Sequence, residues 1–400
     1  MSTVDFDHNS KDHVDNAYDT YKLHRSKCPV AKTERHGGYW VIAGYDEVFQ
    51  VARDDDTFSS AGGTVVPNTN VGRLLPIMAD PPELERYRTL INPFLTPKAI
   101  KEIEPFIRRI TDDAIDSFIE QGSVDIVAEL ASPIPAMGTM RLLGLDPSEW
   151  CMFAEPLHDV MYTRPGTPEN EDGQRRVLAF SQKIVDEIDE RIRAPREDMI
   201  SRLLASESNG IKTSRQEVID LVRMVIFGGM DTVVAALGNI FLQLDRHPDI
   251  RQRLIADRAL LPTAIEEFLR FEAPIQGFGR KVMRDTCVGD QSIKAGETVF
   301  MLWASANRDE SVFGETADQL VIDRVPNRHM TFGIGGHRCQ GSTMARTELR
   351  IVLDRVLERL PDYKVVWDKV VGPDTVGSSY GQRAVPILFT PGRKLNTVAA

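Results

Sequence analysis

The stretch "FGIGGHRCQG", residues 332–341, is the most informative part of this 400-residue sequence. Four glycines surround a single cysteine, and the helical pattern "STMARTELRIVLDRVLERL" begins directly afterwards, so Cys339 lies near a helix N-terminus. Backbone N–H groups in a glycine loop and the end of a helix both stabilise a thiolate. Most free cysteines are small buried hydrophobes, but this setting favours a sulfur that acts as a nucleophile or a metal ligand.

Composition limits the class of protein and its partners. The four cysteines, Cys28, Cys151, Cys287 and Cys339, are widely spaced, which argues against a disulfide framework and indicates a reducing compartment. A net charge of −11 argues against a nucleic-acid partner. The polar N-terminal segment has no signal-peptide or anchor pattern, so we expect a cytoplasmic protein without a membrane partner.

Three kinds of ligand could use the cysteine loop. Zinc needs three further ligands, and no second cysteine or histidine stands at finger spacing, with His337 too close to share a metal. A dinucleotide fingerprint starts at Gly333 and Gly335 but fails at Arg338, where the third glycine belongs. A single axial thiolate to haem iron needs only one cysteine.

The hydrophobic patterns predict a mainly α fold with small segregated β-sheets, an α+β class, in one domain covering residues 1–400. Residues 37–44 and 282–300 have strand character, and residues 97–260 are mostly helical. A polar stretch at 163–173 is expected to interrupt the helices.

One helix should occupy the centre of the fold. It opens with a capping box formed by Ser214 and Glu217 and should end near His247. Residues 224–244 are apolar almost all round, which is typical of a buried helix rather than a surface one.

The sequence "GGMDT", Gly228 to Thr232, is unusual for the middle of a buried helix. Its glycines cost about 1 kcal/mol each relative to alanine, and a buried aspartate needs a partner. Spacing alone favours close helix packing at the glycines and a partnered Asp231. Alternatively, the Thr232 hydroxyl bonds the Gly228 carbonyl and opens the helix, so that a flat ligand lies against it beside a hydroxyl and an acid that deliver protons.

With these segments in hand, the sequence resembles a cytochrome P-450 of the bacterial kind over nearly its whole length. The cysteine loop matches the family's F-x-x-G-x-x-x-C-x-G pattern at Phe332, Gly335, Cys339 and Gly341. The central helix matches the oxygen-activating motif at Gly228, Gly229, Asp231 and Thr232. Glu267 and Arg270 match the family's E-x-x-R pair, which is a weak signal except for its place between these two motifs.

The resemblance implies a haem-thiolate monooxygenase that inserts one oxygen atom of O2 into its substrate. Cys339 would be the axial ligand of haem b iron, with the haem lying between the central helix and the cysteine loop and Phe332 packing beside the sulfur. Thr232 and Asp231 would supply protons for cleavage of dioxygen. Glu267, Arg270 and Arg324 would form a structural cluster.

The resemblance also implies where the haem would be held. Its contacts would include Gly228, Gly335 and Gly341, and its propionates would meet three cations, Arg88, Arg280 and His337. Two positions depart from the family pattern. Leu84 stands where histidine is frequent, so one propionate hydrogen bond would be missing. Gln340 stands where an apolar residue is usual and could alter hydrogen bonding at the sulfur.

The substrate pocket implied by the resemblance is apolar, which indicates a small to medium hydrophobic substrate. Ordinary core packing is the alternative for each lining position. The candidates are Val65, Val66, Leu75, Ile77, Met224, Phe227, Val233, Ile275, Gln276 and Phe278.

The sequence shows no flavin or iron–sulfur module, so electrons from NAD(P)H should arrive through a ferredoxin and its reductase, with the protein acting as a monomer. Arg86, Arg338, Arg346 and Arg350 could form a docking patch for that partner, or be scattered solvated arginines. Two other functions remain possible: an isomerase or dehydratase of the same fold, which the intact Asp231 and Thr232 argue against, and a non-enzymatic haem-binding or gas-sensing protein.

Overall fold

A computed structural model describes residues 3–67, 72–208 and 210–395. Helices dominate it, as the sequence predicts. The α-helices are α1 Lys11–Lys27, α2 Tyr45–Arg53, α3 Glu83–Ile91, α4 Pro97–Phe118, α5 Pro133–Leu143, α6 Trp150–Tyr162, α7 Pro168–Arg193, α8 Met199–Leu204, α9 Arg215–Gly229, α10 Asp231–Arg246, α11 Pro248–Ala256, α12 Leu261–Phe271, α13 Trp303–Ala306, α14 Glu310–Phe313 and α15 Ser342–Arg359.

The strands are short and gather into four small sheets. They are β1 Val30–Thr33, β2 Tyr39–Ile42, β3 Phe58–Ser59, β4 Ser123–Asp125, β5 Glu207–Ser208, β6 Ile211–Lys212, β7 Gly277–Val282, β8 Thr286–Val288, β9 Gln291–Ile293, β10 Thr298–Leu302, β11 Lys364–Val365 and β12 Pro386–Leu388. The largest sheet has the order β1-β2-β10-β7-β3, in which β10 pairs parallel with β2 and antiparallel with β7. The three-stranded sheet has the order β11-β12-β4, and β5-β6 and β8-β9 are two-stranded.

Two hydrophobic cores meet along the central helices. Helix α10 packs with α4, α12 and α15 in one core, while α9 packs with α5, α6 and α7 in the other. The span Arg215–Arg246 is long and apolar enough to cross a bilayer by length and composition, yet 72% of its apolar window is buried in the protein. That burial is typical of a core helix, as the all-round apolar pattern predicts.

The central helix is interrupted where the sequence places "GGMDT". Its start is as predicted, because Ser214 and Glu217 form a complete capping box. Helix α9 ends at Gly229 and α10 begins at Asp231, with Met230 between them. The single predicted helix is therefore two consecutive segments.

The prediction of a break at residues 163–173 is wrong in its second half. Helix α7 begins at Pro168, so only the first part of the stretch is a connection. Thr167 caps the helix by accepting from the Asn170 backbone N–H, and Pro168, Glu169 and Glu171 occupy the first turn. Proline and acidic residues are favourable at a helix N-terminus, so polarity at this position marks a helix start.

Candidate functional site

The cysteine loop turns back on itself just before helix α15 begins. The Cys339 N–H donates to the Phe332 carbonyl oxygen over 2.7 Å, and α15 begins three residues after the cysteine. Gly335 has a left-handed φ of 69°, and a Cβ there would lie 2.9 Å from the Ala52 carbonyl oxygen. A side chain at this position would meet both strain and backbone, so the glycine is needed to bring the loop against α2.

Cys339 is an exposed residue, yet its thiol is surrounded by protein. Burial by these surroundings raises the pKa of the thiol. A hydrogen bond from the Gly341 backbone and the charges of Arg88, Arg346 and Arg338 act in the opposite direction but do not overcome burial. This direction runs against the expectation that the loop alone stabilises a thiolate. A metal at the sulfur would add the missing stabilisation, because coordination deprotonates a thiol.

The break in the central helix has the predicted hydrogen bond. The Thr232 hydroxyl donates to the Gly228 carbonyl oxygen over 2.9 Å. Residues 223–225, 227–229 and 232 are only partly buried, whereas 233–244 are buried throughout. The core helix therefore borders open space at its break.

The two glycines of the break have different roles. A Cβ on Gly229 would lie 2.6 Å from the Thr139 hydroxyl oxygen, so this glycine allows α5 to approach closely. A Cβ on Gly228 would meet only the Met224 methyl group, at 2.9 Å. Close helix packing therefore explains Gly229, and only Gly228 remains a candidate for contact with a flat ligand.

Asp231 has a partner that sequence reasoning missed. The carboxylate is 3% exposed, and its Oδ1 lies 2.8 Å from Nδ1 of His158 on α6. Burial lowers the pKa of His158, but the hydrogen bond and charge of Asp231 outweigh it, so the net shift is upward. A lone histidine 73 residues from the aspartate carries no motif, and no sequence signal identifies it.

The three groups predicted to meet the propionates lie near one another, but the prediction that His337 is a cation is wrong at neutral pH. Burial and then the charge of Arg280 lower the pKa of His337 to about 4, with Arg88 contributing in the same direction. Arg280 donates from Nη1 to Asp55 Oδ1 over 2.8 Å, and His337 Nε2 lies 3.8 Å from the same oxygen. Asp55, which sequence reasoning missed, is therefore already an acidic neighbour of Arg280 and His337.

Arg88 and His337 carry unused donors. Among the described residues, no hydrogen bond or ion pair engages the half-buried Arg88 guanidinium, and burial lowers its pKa. The His337 Nε2 atom is buried and has no hydrogen-bond partner within the described ranges. Buried cations and polar atoms are normally paired. An unpaired cation, an orphaned imidazole nitrogen and a cysteine sulfur fit a ligand that carries carboxylates and a metal, as haem does.

The cluster around Glu267 is completely assembled. Arg270 donates from Nε and Nη2 to the two Glu267 oxygens, at 2.8 Å each, and both side chains are 0% exposed. Arg324 Nε donates to Glu267 Oε2 over 3.0 Å. The remaining Arg270 donors reach the carbonyl oxygens of Asn307, Ala317 and Gln319 at 2.7 to 2.9 Å.

The two departures from the family pattern have structural explanations. Leu84 is 0% exposed, and its Cδ2 atom would lie 3.2 Å from a Cβ added to Gly336. This position is therefore packed, without room for a donor. Gln340 donates to the Arg88 carbonyl oxygen and to Asn92 Oδ1, at 3.1 and 2.6 Å. The expectation that Gln340 changes hydrogen bonding at the sulfur is therefore wrong, because its amide is committed to the end of α3.

The predicted pocket residues divide into two groups. Four are buried, and three of these belong to hydrophobic cores, so ordinary packing accounts for them: Val66, Leu75 and Val233. The fourth, Gln276, donates to the Ala273 carbonyl oxygen over 2.5 Å, and its Oε1 is buried without a partner. The other six are only partly buried and remain candidates for substrate contact: Val65, Ile77, Met224, Phe227, Ile275 and Phe278. Phe227, Ile275 and Phe278 also pack against hydrophobic cores.

Comparison with known proteins identifies the family of the chain. A cytochrome P-450 family model matches residues 171–364. The chain is 32% identical over 365 residues to cytochrome P-450 130 of Mycobacterium tuberculosis, covering 88% of each chain. It is 33% identical over 378 residues to a steroid C26-monooxygenase of Mycolicibacterium smegmatis, covering 94% of this chain and 93% of the relative.

The fold agrees with solved structures as well. A cytochrome from Bacillus megaterium in complex with testosterone superposes with a TM-score of 0.84 at 27% identity, covering 95% of this chain and 100% of that one. The chain therefore belongs to the cytochrome P-450 family of haem proteins. Within that family it is a monooxygenase, an oxidoreductase that uses haem and dioxygen.

Proposed function

We propose that this monooxygenase inserts one atom of dioxygen into a small to medium hydrophobic substrate at a haem b held by Cys339. The observation that carries the proposal is the arrangement at the cysteine loop, where Cys339 precedes α15 by three residues and the half-buried Arg88 and the orphaned His337 Nε2 are the groups suited to carboxylates. A haem iron would stabilise the thiolate, and a thiolate ligand favours cleavage of dioxygen. Bound haem would supply the iron at which dioxygen is reduced.

The propionates of this haem would be held by the donors that lack partners. Arg88 and His337 would each make a charge-assisted or polar hydrogen bond to a carboxylate, and Arg280 would share its charge with Asp55. Phe332 lies under the Arg346 guanidinium, 4.2 Å from ring centroid to guanidinium carbon, and would pack beside the sulfur. Gly335 and Gly341 would let the loop approach the iron, and Gly228 would let the ring lie against the break.

Proton delivery is proposed for Thr232 and Asp231. The Thr232 hydroxyl uses its hydrogen on Gly228, so its oxygen lone pairs remain free to accept from another donor. Asp231 Oδ2 is buried and unpartnered, so it can hold a proton that the Oδ1 contact with His158 does not occupy. The Glu267, Arg270 and Arg324 cluster would hold the segment that precedes the cysteine loop.

The finer assignments follow from the same reasoning. We propose one domain over residues 1–400, a monomer in the cytoplasm, and electrons from NAD(P)H through a ferredoxin and its reductase. Of the four arginines suggested for docking, three are paired with carboxylates: Arg86 with Glu217, Arg346 with Glu266 and Arg350 with Glu104, at 2.5 to 2.8 Å. The ferredoxin would therefore meet a smaller basic patch, centred on exposed Arg338.

Steroids are the first substrates to test, because a relative is named a steroid C26-monooxygenase and a structural neighbour holds testosterone. The apolar character of Ile77, Met224 and Phe278 suits such a molecule. An isomerase, a dehydratase or a gas sensor would not need the hydroxyl–acid pair at the break.

The deciding experiment is the spectrum of the reduced carbon monoxide complex. We expect the red-shifted Soret band of thiolate ligation in the wild type and in Cys151→Ser, a control at an exposed cysteine. Cys339→Ser should lose that band. Retention of the band by Cys339→Ser would refute the ligand assignment. A steroid panel should then move the ferric Soret band, and a panel of fatty acids and terpenoids tests the wider class.

A further inference from the structure

A cavity of about 150 Å3 lies between helix α6 and the break in the central helix. His158 and Asp231 both line it, together with the charged side chains of Glu155, Asp159 and Arg383. At about 30 Å3 per molecule, the cavity has room for several waters. Its charged walls offer those waters hydrogen-bond partners.

The histidine–aspartate pair has a free atom at each end. Nδ1 of His158 and Oδ1 of Asp231 are 2.8 Å apart. Nε2 of His158 and Oδ2 of Asp231 are both buried and have no hydrogen-bond partner among the described residues. Both residues line the cavity, so a small side-chain movement would bring its waters to these two atoms, which lack the partners that buried polar groups almost always have.

We propose that His158 relays protons from the waters of this cavity to Asp231. The inference deepens the proposed function, since it rests on the proposed role of Asp231 in proton delivery. His158 would act through Asp231 and is thus a positioning and relay residue, without contact to the substrate.

Each relay step moves one proton and changes no other bond. The imidazolium gives its Nδ1 proton to Asp231 Oδ1, and the ring remains neutral with its proton on Nε2. Asp231 passes a proton onward toward Thr232 and becomes a carboxylate again. A half-turn of the ring about Cβ–Cγ then carries the bare Nδ1 away from Asp231, a hydronium ion of the cavity protonates it and becomes water, and a second half-turn returns the imidazolium to Asp231.

Among the charged groups around the cavity, His158 is the cationic partner of Asp231. Arg176 of α7 pairs with Asp159 and lies 3.8 Å from Glu155. Arg383 pairs with Glu169 and lies 3.6 Å from Asp374. The two arginines near the cavity are therefore engaged by other carboxylates.

One more titratable group packs against the pair. The Tyr162 ring packs edge-on to the His158 ring, 4.8 Å between centroids, and its hydroxyl lies 3.2 Å from the Ser379 hydroxyl. Burial, and then the charge of Asp231 and its action as a hydrogen-bond acceptor for the hydroxyl, raise the pKa of Tyr162 well above its ordinary range, so it stays neutral. The hydrogen bond and charge of Asp231 shift the pKa of His158 upward against burial, which favours the protonated ring.

The rival explanation is a latch, in which the pair only fastens α6 to α10. The two explanations differ in what a lysine would do. His158→Lys preserves a cation for Asp231 but does not exchange its proton near neutral pH. His158→Asn preserves a neutral donor without relay capacity. A latch tolerates the lysine, and a relay does not.

The first measurement follows His158 itself. NMR of 13C-labelled histidines in the diamagnetic ferrous carbon monoxide complex should show His158 titrating above 6.5, and at lower pH in Asp231→Asn. The His158→Asn spectrum assigns the signal. A His158 titration unchanged by Asp231→Asn would refute the coupling.

The second measurement is turnover of the steroid that gives the largest Soret shift. His158→Asn and His158→Lys should each lower product formed per NADH about tenfold and raise the solvent isotope effect, with steroid affinity and haem content unchanged. The wild-type pH profile should follow the NMR titration. The control is His36→Asn, at another histidine–aspartate pair with a 2.8 Å contact.

The outcomes separate this inference from the proposed function. Full turnover in His158→Lys would refute the relay and support the latch. If turnover is impaired in Asp231→Asn but normal in His158→Asn, the role of His158 is refuted and the role of Asp231 stands. Normal turnover in Asp231→Asn would instead refute the proposed role of Asp231.

Discussion

Gln340 donates a hydrogen bond from its side-chain amide to the backbone carbonyl oxygen of Arg88 over 3.1 Å. Gln340, which is next to the cysteine, thereby holds helix α3. This helix carries Arg88, whose guanidinium has no partner among the described residues. The same amide donates to Asn92 Oδ1 over 2.6 Å, so both of its hydrogens go to the end of α3. The cysteine loop and the proposed propionate cation are held as one unit.

Gln340→Leu should speed haem loss to an apomyoglobin acceptor about 2- to 10-fold, because one neutral hydrogen bond contributes about 0.5–1.5 kcal/mol. The Soret position of the carbon monoxide complex should not change, since the amide does not serve the sulfur. Gln121→Leu, which removes an exposed glutamine hydrogen bond to Ser117, is the control. A shifted Soret band would show that Gln340 influences the thiolate after all.

Arg88→Ala should lower haem occupancy and speed haem transfer by tenfold or more, because a charge-assisted hydrogen bond contributes about 1.5–3 kcal/mol. Arg88→Lys should lose less, as it keeps the charge. Arg175→Ala removes an arginine that is 76% exposed and should match the wild type. Equal transfer rates for wild type and Arg88→Ala would remove Arg88 from the haem site.

Thr232→Val should bind haem and steroid normally yet form less product and more hydrogen peroxide per NADH. Valine keeps the shape of threonine but cannot hold a proton, and proton transfer by a positioned group contributes about 100-fold or more. Thr232→Ser should retain most of the coupling. Coupling in Thr232→Val equal to that of the wild type would exclude the hydroxyl from proton delivery.

Glu267→Gln should destabilise the protein by about 3–5 kcal/mol, because it leaves the buried charges of Arg270 and Arg324 uncompensated. Chemical unfolding monitored by circular dichroism measures the change. Asp113→Asn breaks an exposed pair with Arg109 and should change stability by less than about 1 kcal/mol. Similar effects of the two substitutions would mean that the Glu267 cluster contributes no more than a surface pair.

Stability should fall as the pH drops from about 6.5 towards 4, and His8 near the N-terminus is one of several buried histidines with a lowered pKa that contribute. His8 is 1% exposed, its Nδ1 lies 2.8 Å from the Tyr39 hydroxyl, and burial lowers its pKa to about 4. Over this range the unfolded chain binds a proton that the folded chain does not, which destabilises the fold by up to about 1.4 kcal/mol per pH unit. His8→Gln should flatten this part of the urea-stability profile, and His36→Gln, at an exposed histidine, should not. An unaltered profile in His8→Gln would assign the acid sensitivity to other groups.

The sequence predicts the parts of this protein that depend on local chemistry. The capping box of Ser214 and Glu217 and the Thr232 bond to Gly228 both lie within a few residues of their cause, whereas for the full break at Met230 the sequence predicts only a local opening of one helix. Such contacts follow from helical geometry, because residues three or four apart share a face.

Contacts across the fold are not readable in this way. His158 meets Asp231 from 73 residues away, and Asp55 meets Arg280 from 225 residues away. The role of Gly229 depends on Thr139, a residue on another helix. Resemblance locates the motif positions but not the partners that this particular chain supplies to them.

Arg270 also has a consequence for the order in which the chain can fold. Its guanidinium binds the carbonyl oxygens of Asn307, Ala317 and Gln319, which follow it by 37, 47 and 49 residues. Since chains emerge from the ribosome N-terminus first, the arginine and its glutamate are already present when these residues appear. The segment 307–319 can therefore fold during synthesis against an arginine and a glutamate that have already been made. A circular permutant that places this segment before helix α12 would have to fold it before those two residues are present.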